Sequence, residues 1–505
     1  MKPKPFLTKS KFVAGVQCLK RLYWQVHQPE LAAEIDDQVQ SIMDQGTAVG
    51  IEAQKAFPGG VLAEADYQHT GVALEETARF IADLRVPAVY EATLEHDGVL
   101  VRVDILERQP RNRWRLVEVK SSTKLKDHYR YDVAIQRHVA SGAGLKIASA
   151  CLMHLNRDYI YDGKRYKPDK LFLIEDLTAE AKSIAGEVVD LLAVQRRILQ
   201  KDKPPKVEAS AQCTDPVACE FFDQCHAPVP QGHISELPRL TQRKLAALQA
   251  LGIDMVQDIP ESFKLTPVQR RAYDCARSGC PWFGPELSDA LSTLKYPLYF
   301  MDFETFYPAL PRHKGMWPYG HIPFQWSVHV REKPGATLRH HEFLADDATD
   351  PRLRFLETLL DVLGTTGSIV VYNQQFESER LKDLARWLPE HAKQIARVQA
   401  RLWDLLPVVR NNVYHPDFRG SFSIKRTLPA LVSGMTYEGM EVAEGSAAGL
   451  AWETLVHGQL GKSERTRLRA ALLAYCQQDT EAMVRVCDAL EPAASQEGKT
   501  SGARG

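Results

Sequence analysis

Two carboxylates stand two residues apart inside an otherwise apolar, aromatic-rich run. The run is Tyr296-Pro297-Leu298-Tyr299-Phe300-Met301-Asp302-Phe303-Glu304-Thr305. Its composition favours a β-strand. In a strand, Asp302 and Glu304 point to one face. Two like charges on an apolar face repel each other unless a cation lies between them. The run therefore predicts a strand carrying part of a metal site. On this segment alone the alternative, two acids at a solvated strand end, stays open.

Further pieces follow in order. Residues 368–371 form another β-type run, leading into Tyr372-Asn373-Gln374-Gln375-Phe376-Glu377. Residues 471–486 have a helical pattern, and Tyr475 and Asp479, four apart, share one helix face. D-x-E on a strand, then N-x-x-F-acid, then Y-x-x-x-D resembles the three motifs of the DnaQ-like exonucleases. The resemblance spans roughly residues 296–490. It implies an RNase H-like α/β domain with a mixed sheet and a DEDD 3′→5′ exonuclease site. Asp302, Glu304, Glu377 and Asp479 match its metal-binding acids, and Tyr475 matches the tyrosine that orients the attacking water. The second motif normally ends in Asp, and Glu377 reaches about one methylene further. Hard carboxylate oxygens suit two Mg²⁺ or Mn²⁺ ions. One ion activates water and the other stabilises the leaving oxygen. Asp404 offers either an auxiliary ligand or a helix cap. Residues 414–425 resemble a segment of RNase H-like bacterial exonucleases. There Ser423 and Lys425 either contact the substrate backbone or belong to a structural loop.

A second constellation lies in the N-terminal half. Residues 99–106 alternate like a half-buried strand, and residues 114–122 follow after a turn. Asp104, then Glu118-x-Lys120 with both side chains on one face, resembles the core of the PD-(D/E)XK nucleases. Gln136 matches the glutamine of their RecB-like branch. The resemblance implies that Asp104 and Glu118 bind a cation, with Glu91 in support. Lys120 would position or activate water and stabilise phosphate charge. One departure stands out: Gly50 occupies the place where a metal-binding His is often found, and Glu52 is the nearby substitute.

Nine cysteines, an odd number in a chain without a recognisable signal, argue for metal ligation or plain burial over disulfides. Cys213, Cys219 and Cys225 are spaced C-x5-C-x5-C, with Cys18 far upstream. One early cysteine plus three after the nuclease core resembles the iron–sulfur RecB-like nucleases. That implies a [4Fe–4S] cluster on Cys18, Cys213, Cys219 and Cys225, with zinc as the alternative. The family's first gap in the trio is shorter than the one here.

With 505 residues the chain exceeds one hydrophobic core. The reading is an α/β multidomain protein. Residues 1–230 form a RecB-like PD-(D/E)XK restriction-endonuclease-like domain, and residues 235–290 a small helix-hairpin-helix-like domain. Residues 295–490 form the RNase H-like domain, and residues 491–505 a disordered tail. In the helix-hairpin-helix, the hairpin at Gly252 is expected to offer backbone N–H groups to phosphate. No run approaches the ~18 apolar residues of a membrane span, and the basic start MKPKPFLTKS lacks a secretory apolar core, so a cytoplasmic location is expected. A net charge of -1 argues against tight coating of duplex DNA. The whole resembles an uncharacterised bacterial family fusing such nuclease domains. The expected function is a metal-dependent DNA nuclease acting in repair, recombination or defence. Single-stranded or end-containing DNA is the favoured partner. The alternatives are an RNA 3′→5′ exonuclease, or a DNA-end-binding scaffold with one or both centres inactive.

Overall fold

Period-two alternation around Asp104 does build a sheet. The computed structural model describes residues 7–65, 69–226 and 228–501. The chain divides into two compact units. One comprises Met1–Ala227 with Pro308–Gly320, and the other Pro228–Tyr307 with His321–Gly505.

In the first unit a short strand β1 (Leu7–Thr8) precedes the helix Lys9–Gln17, and β2 is Val61–Leu62. Strands β3 (Ala88–His96), β4 (Val99–Gln109) and β5 (Arg113–Lys120) form an antiparallel meander. Asp97 and Gly98 join β3 to β4 with φ of 50° and 71°, a two-residue turn that matches strand twist. After the helix Tyr129–Gly142, β6 (Ile147–Leu155) runs parallel to β5, and β7 (Phe172–Asp176) pairs antiparallel with β6. The order is β2-β3-β4-β5-β6-β7, with β1 beside β4.

Neighbouring residues of one strand enter different cores: Leu116 and Leu152 pack in one cluster, Val117 and Met153 in another. The parity changes at Glu91, whose φ is 55°. Ala88 and Tyr90 belong to one core, Ala92 and Leu94 to the other. A non-glycine residue held at positive φ costs about 1–3 kcal/mol and recurs at functional sites. The segment Pro308–Gly320 belongs to this unit. Ala309 N donates to Gln45 Oε1 at 2.7 Å and Tyr161 N to Met316 O at 2.8 Å.

In the second unit β8 is Trp282–Phe283. The main sheet holds β9 (Leu298–Phe306), β10 (Ile322–Arg331), β11 (Arg339–Leu344), β12 (Ser368–Val371) and β13 (Leu402–Asp404). Its order is β11-β10-β9-β12-β13, and β14 (Val413–Tyr414) pairs with β8. The sheet is mixed: β10 pairs antiparallel with β9 and β11, whereas β12 is parallel to β9 and β13. Tyr299, Met301 and Phe303 enter a core with Phe355, Leu381, Leu384 and Ile395 from three covering helices. Each such burial contributes about 1.5–3 kcal/mol. The opposite face, with Asp302 and Glu304, lies under the helix Lys462–Ser501. Gln325 Nε2 donates to Leu472 O there at 2.7 Å.

Two expectations are corrected. A helix-hairpin-helix needs a second helix just after Gly252. The chain instead makes a three-residue 3₁₀ turn, Val256–Asp258, which Pro260 stops, and the next helix begins at Pro267. The expected helix-N-terminus phosphate site is therefore missing from this hairpin. The tail expected as disordered from Glu491 instead continues the helix to Ser501, because Leu490 and Ala494, four apart, bury on one face. Residues 502–505 and the basic start, residues 1–6, lie outside the described residues.

Candidate metal centres

Asp302 and Glu304 extend from β9 toward Asp479 on the helix Lys462–Ser501. One carboxylate oxygen from each lies within 4.8 Å of the others. Among the described residues no other three Asp, Glu, His or Cys side chains come so close. Burial and then the neighbouring Asp479 carboxylate push Asp302 well above the usual carboxylate range. Burial, Asp302 and Asp479 do the same to Glu304. Asp479 is raised by burial to about 6, although the hydroxyls of Tyr437 and Tyr475 donate to it and oppose the shift. Tyr437 Oη lies 2.6 Å from Asp479 Oδ1. Lys425 Nζ lies 5.6 Å from the Tyr475 ring centre and 5.7 Å from that of Tyr437, placing one cation beside the cluster.

Glu377 sits in the first turn of the helix Gln374–Trp387, buried at 2% exposure and outside the 4.8 Å cluster. Its Oε2 is buried and meets no donor. Burial and then the Asp302 charge hold it well above its ordinary range. A carboxylate oxygen left without a partner beside three more carboxylates suits a cation. The donor set is all hard oxygen. Cys476, whose Sγ is 3.8 Å from Asp302 Oδ2, stays a thiol because burial and that carboxylate raise it further.

Asp404 is a cap. Its carboxylate accepts from Asn373 N and Gln374 N, both at 3.0 Å, and from Leu406 N at 3.1 Å. It thus ties together the starts of two helices, one of which carries Glu377. Asp404→Ala should lower unit stability by about 2–3 kcal/mol, given ~1 kcal/mol for each lost cap bond. A chemical denaturation midpoint within the wild-type error would contradict this role. Ser423 is exposed and occupies the N-cap position of the helix Ile424–Leu431.

Metal and pH should act together on this cluster. Asp479 titrates in the folded state above its usual 3.8. The stability tied to its protonation is present at acid pH and lost as pH rises through about 6. A bound cation replaces that proton. About 1 mM Mn²⁺ should therefore raise the melting temperature clearly near about pH 7.5 and little near about pH 5. Burial holds His321 and His329 down at about 4, which acts in the opposite sense. The comparison to read is accordingly with and without Mn²⁺ at each pH. An equal rise at both would contradict the cluster's role.

In the first unit, Asp104 on β4, Glu118 and Lys120 on β5 and Gln136 on the helix Tyr129–Gly142 do come together. A residue absent from the sequence reading joins them. Lys9 Nζ bonds both oxygens of Glu118, at 2.7 and 2.8 Å. Lys120 Nζ is 2.8 Å from Glu118 Oε1 and 3.3 Å from Asp132 Oδ1. Gln136 Nε2 donates to Glu118 Oε2. Burial pushes Glu118 up, but the two ammonium groups outweigh it and hold its carboxyl at about 2. Asp104 accepts from Val119 N at 2.6 Å, yet burial and then Glu118 raise it to about 8. Glu91 is 3.0 Å from Arg102 Nε. Glu52 pairs with Lys55 at 2.5 Å. A Cβ at Gly50 would meet open space.

Hydrogen bonds and packing tie together the segments that carry the four cysteines. Cys18 follows the helix Lys9–Gln17, and Gln17 Nε2 donates to Gln212 O at 2.6 Å and Val217 O at 2.7 Å, on either side of Cys213. Cys219 N donates to Cys213 O at 2.9 Å. Cys219 and Cys225 pack on Tyr23, Trp24 and Phe221. No three of the thiols approach within 4.8 Å of one another. Four sulfurs around one zinc would stand about 3.8 Å apart.

Residues 299–423 match the family model described as Domain of unknown function (DUF2779). The match contains Asp302, Glu304 and Glu377 and stops before Tyr475 and Asp479. A relative, "Uncharacterized protein UU173" of Ureaplasma parvum serovar 3, is 22% identical. The alignment covers 39% of this chain and 32% of that protein, so the chain spans about a third of the relative's length. A solved structure described as "Crystal structure of SSO0001" is 15% identical and covers 46% of this chain and 90% of its own, at a TM-score of 0.25. That score is too low to bear on the fold.

Sequence reading missed Lys9, Asp132 and Tyr437. Lys9 and Tyr437 lie far along the chain from their partners, and no spacing rule links Lys9 to Glu118 or Tyr437 to Asp479.

Proposed function

We propose that the chain is a metal-dependent nuclease whose C-terminal centre removes nucleotides from the 3′ end of a DNA strand. One observation carries the reading: Asp302, Glu304 and Asp479 crowd within 4.8 Å, with Glu377 Oε2 buried and unpartnered and its carboxyl raised by Asp302. The mixed sheet supports an RNase H-like fold for residues 295–490. The seven-stranded sheet around Asp104 and Glu118 supports a PD-(D/E)XK-like fold for the first unit. No helix among the described residues is long and apolar enough to cross a membrane.

Asp302, Glu304, Asp479 and Glu377 would hold Mg²⁺ or Mn²⁺. Bound there, the ions supply water activation and charge stabilisation of the leaving oxygen. The protein's own groups set the geometry. Burial and then Asp479 raise the Tyr475 hydroxyl far above its usual range. It therefore keeps its proton and serves as a donor that orients Asp479 or a water, and it is no general base. Lys425 offers positive charge to the phosphodiester beside the acids. Digestion of 3′- and 5′-labelled single strands of DNA and RNA with Mn²⁺ tests the reading. Stepwise loss from the 3′ end of DNA is expected. Equal inertness toward both polymers would remove the proposal, and cleavage of RNA alone would reassign the substrate.

The cysteines of the first unit are proposed to hold a [4Fe–4S] cluster, which suits thiols standing further apart than a single zinc requires. Anaerobically purified protein should be brown, absorbing near ~400 nm, and Cys219→Ser should bleach it. A colourless protein containing stoichiometric zinc would overturn the assignment.

A further inference from the structure

We infer that Lys9 fills the cation seat of the N-terminal centre, so that this centre takes no divalent metal in the native chain. The inference rests on reading Asp104, Glu118 and Lys120 as a nuclease-like centre. It departs from that reading's expectation that Asp104 and Glu118 hold a metal.

Donor counting supports it. An ionised carboxylate has about four acceptor positions. Glu118 is 1% exposed. It receives two bonds from Lys9, one from Lys120 and one from Gln136. None of its lone pairs is left for a metal. Asp104 has one oxygen occupied by Val119 N. A divalent ion placed between Asp104 and Glu118 would meet two ammonium groups and would have to expel one.

The backbone fixes Lys9 in this position. Thr8 pairs with Leu100 at the start of β4, and its hydroxyl accepts from Lys11 N at 3.3 Å to cap the helix. Lys9 is thus the first residue of a helix whose N-terminus sits on the nuclease-like sheet. A cation there is opposed by the helix dipole. The Glu118 carboxylate, helped by Asp104 and Asp132, makes the placement favourable. Access is not the obstacle to a metal. A cavity of about 380 Å³ lined by Thr8, Lys9, Ser10, Glu91, Arg102 and Asp104 opens beside the seat. Exclusion is by charge.

Mn²⁺ binding to the full chain, counted by electron paramagnetic resonance, tests this. Asp302→Asn with Asp479→Asn first silences the C-terminal acids. That double variant should show no Mn²⁺ that Asp104→Asn removes. Adding Lys9→Met should create one bound Mn²⁺ per chain, which Asp104→Asn then abolishes. Lys9→Arg should create none. If the double variant already binds Mn²⁺ in a manner lost with Asp104→Asn, the inference fails and the nuclease-like centre stands. That arm needs no Lys9 variant to fold. If Lys9→Met keeps the wild-type circular dichroism and melting temperature but gains no ion, the seat is not a cation seat. The reading of the centre then fails with the inference.

Discussion

Asp302→Asn should abolish Mn²⁺-dependent digestion while raising the melting temperature of the metal-free protein. The two effects have one cause. Asp302, Glu304 and Asp479 share a space within 4.8 Å on a largely buried face. Without a cation, burial raises all three acids, Asp479 raises Asp302 further, and Asp302 and Asp479 raise Glu304, which is the signature of repulsion in a poorly solvated site. Asparagine keeps the shape and removes one charge, so the metal-free protein should gain about 1–2 kcal/mol, or roughly 2–6 °C. The same change would remove one of the proposed cation ligands. The ions of such a centre supply several kcal/mol of transition-state stabilisation, so activity should fall by about 10³-fold or more. Scanning calorimetry in chelator, beside a 3′-end release assay, reads both. A variant that is less stable and still active would show that the carboxylates are not a metal cluster.

Tyr475→Phe should lower kcat by about 10²-fold with KM little changed, as expected for a positioned donor that acts mainly in the transition state. The phenol is 3% exposed and hydrogen-bonded to Asp479. Tyr437 donates to the same carboxylate from a different segment. Either change leaves Asp479 with one donor, but only Tyr475 is proposed to reach the reacting water, so Tyr437→Phe should cost less. Equal losses in the two variants would mean that both tyrosines only hold Asp479. A larger loss in Tyr475→Phe would mark it as the group that reaches the reacting water.

The two centres were unequally legible. In the C-terminal unit, period-two placement on β9 and period-four placement on the last helix are local rules, so Asp302 with Glu304 and Tyr475 with Asp479 could each be paired from the sequence. Glu377 fits less closely, because an extra methylene lets it stand outside the tight cluster. Asp404 was ambiguous because a turn aspartate and a metal ligand look alike. Three backbone N–H partners made it a cap. The 3₁₀ turn after Gly252 differs from the second helix that the helix-hairpin-helix resemblance implied.

By itself, the sequence determined which acids lie on strands and which on helices, and that the chain exceeds one core. Residue type and short-range periodicity settle those matters. Only the tertiary structure decided that Asp479 meets Asp302 across about 180 residues, that Tyr437 joins them, and that an ammonium group already fills Glu118. Those contacts are set by sheet register and by how a helix docks, and Coulomb interactions between residues far apart in the chain leave no trace in local pattern.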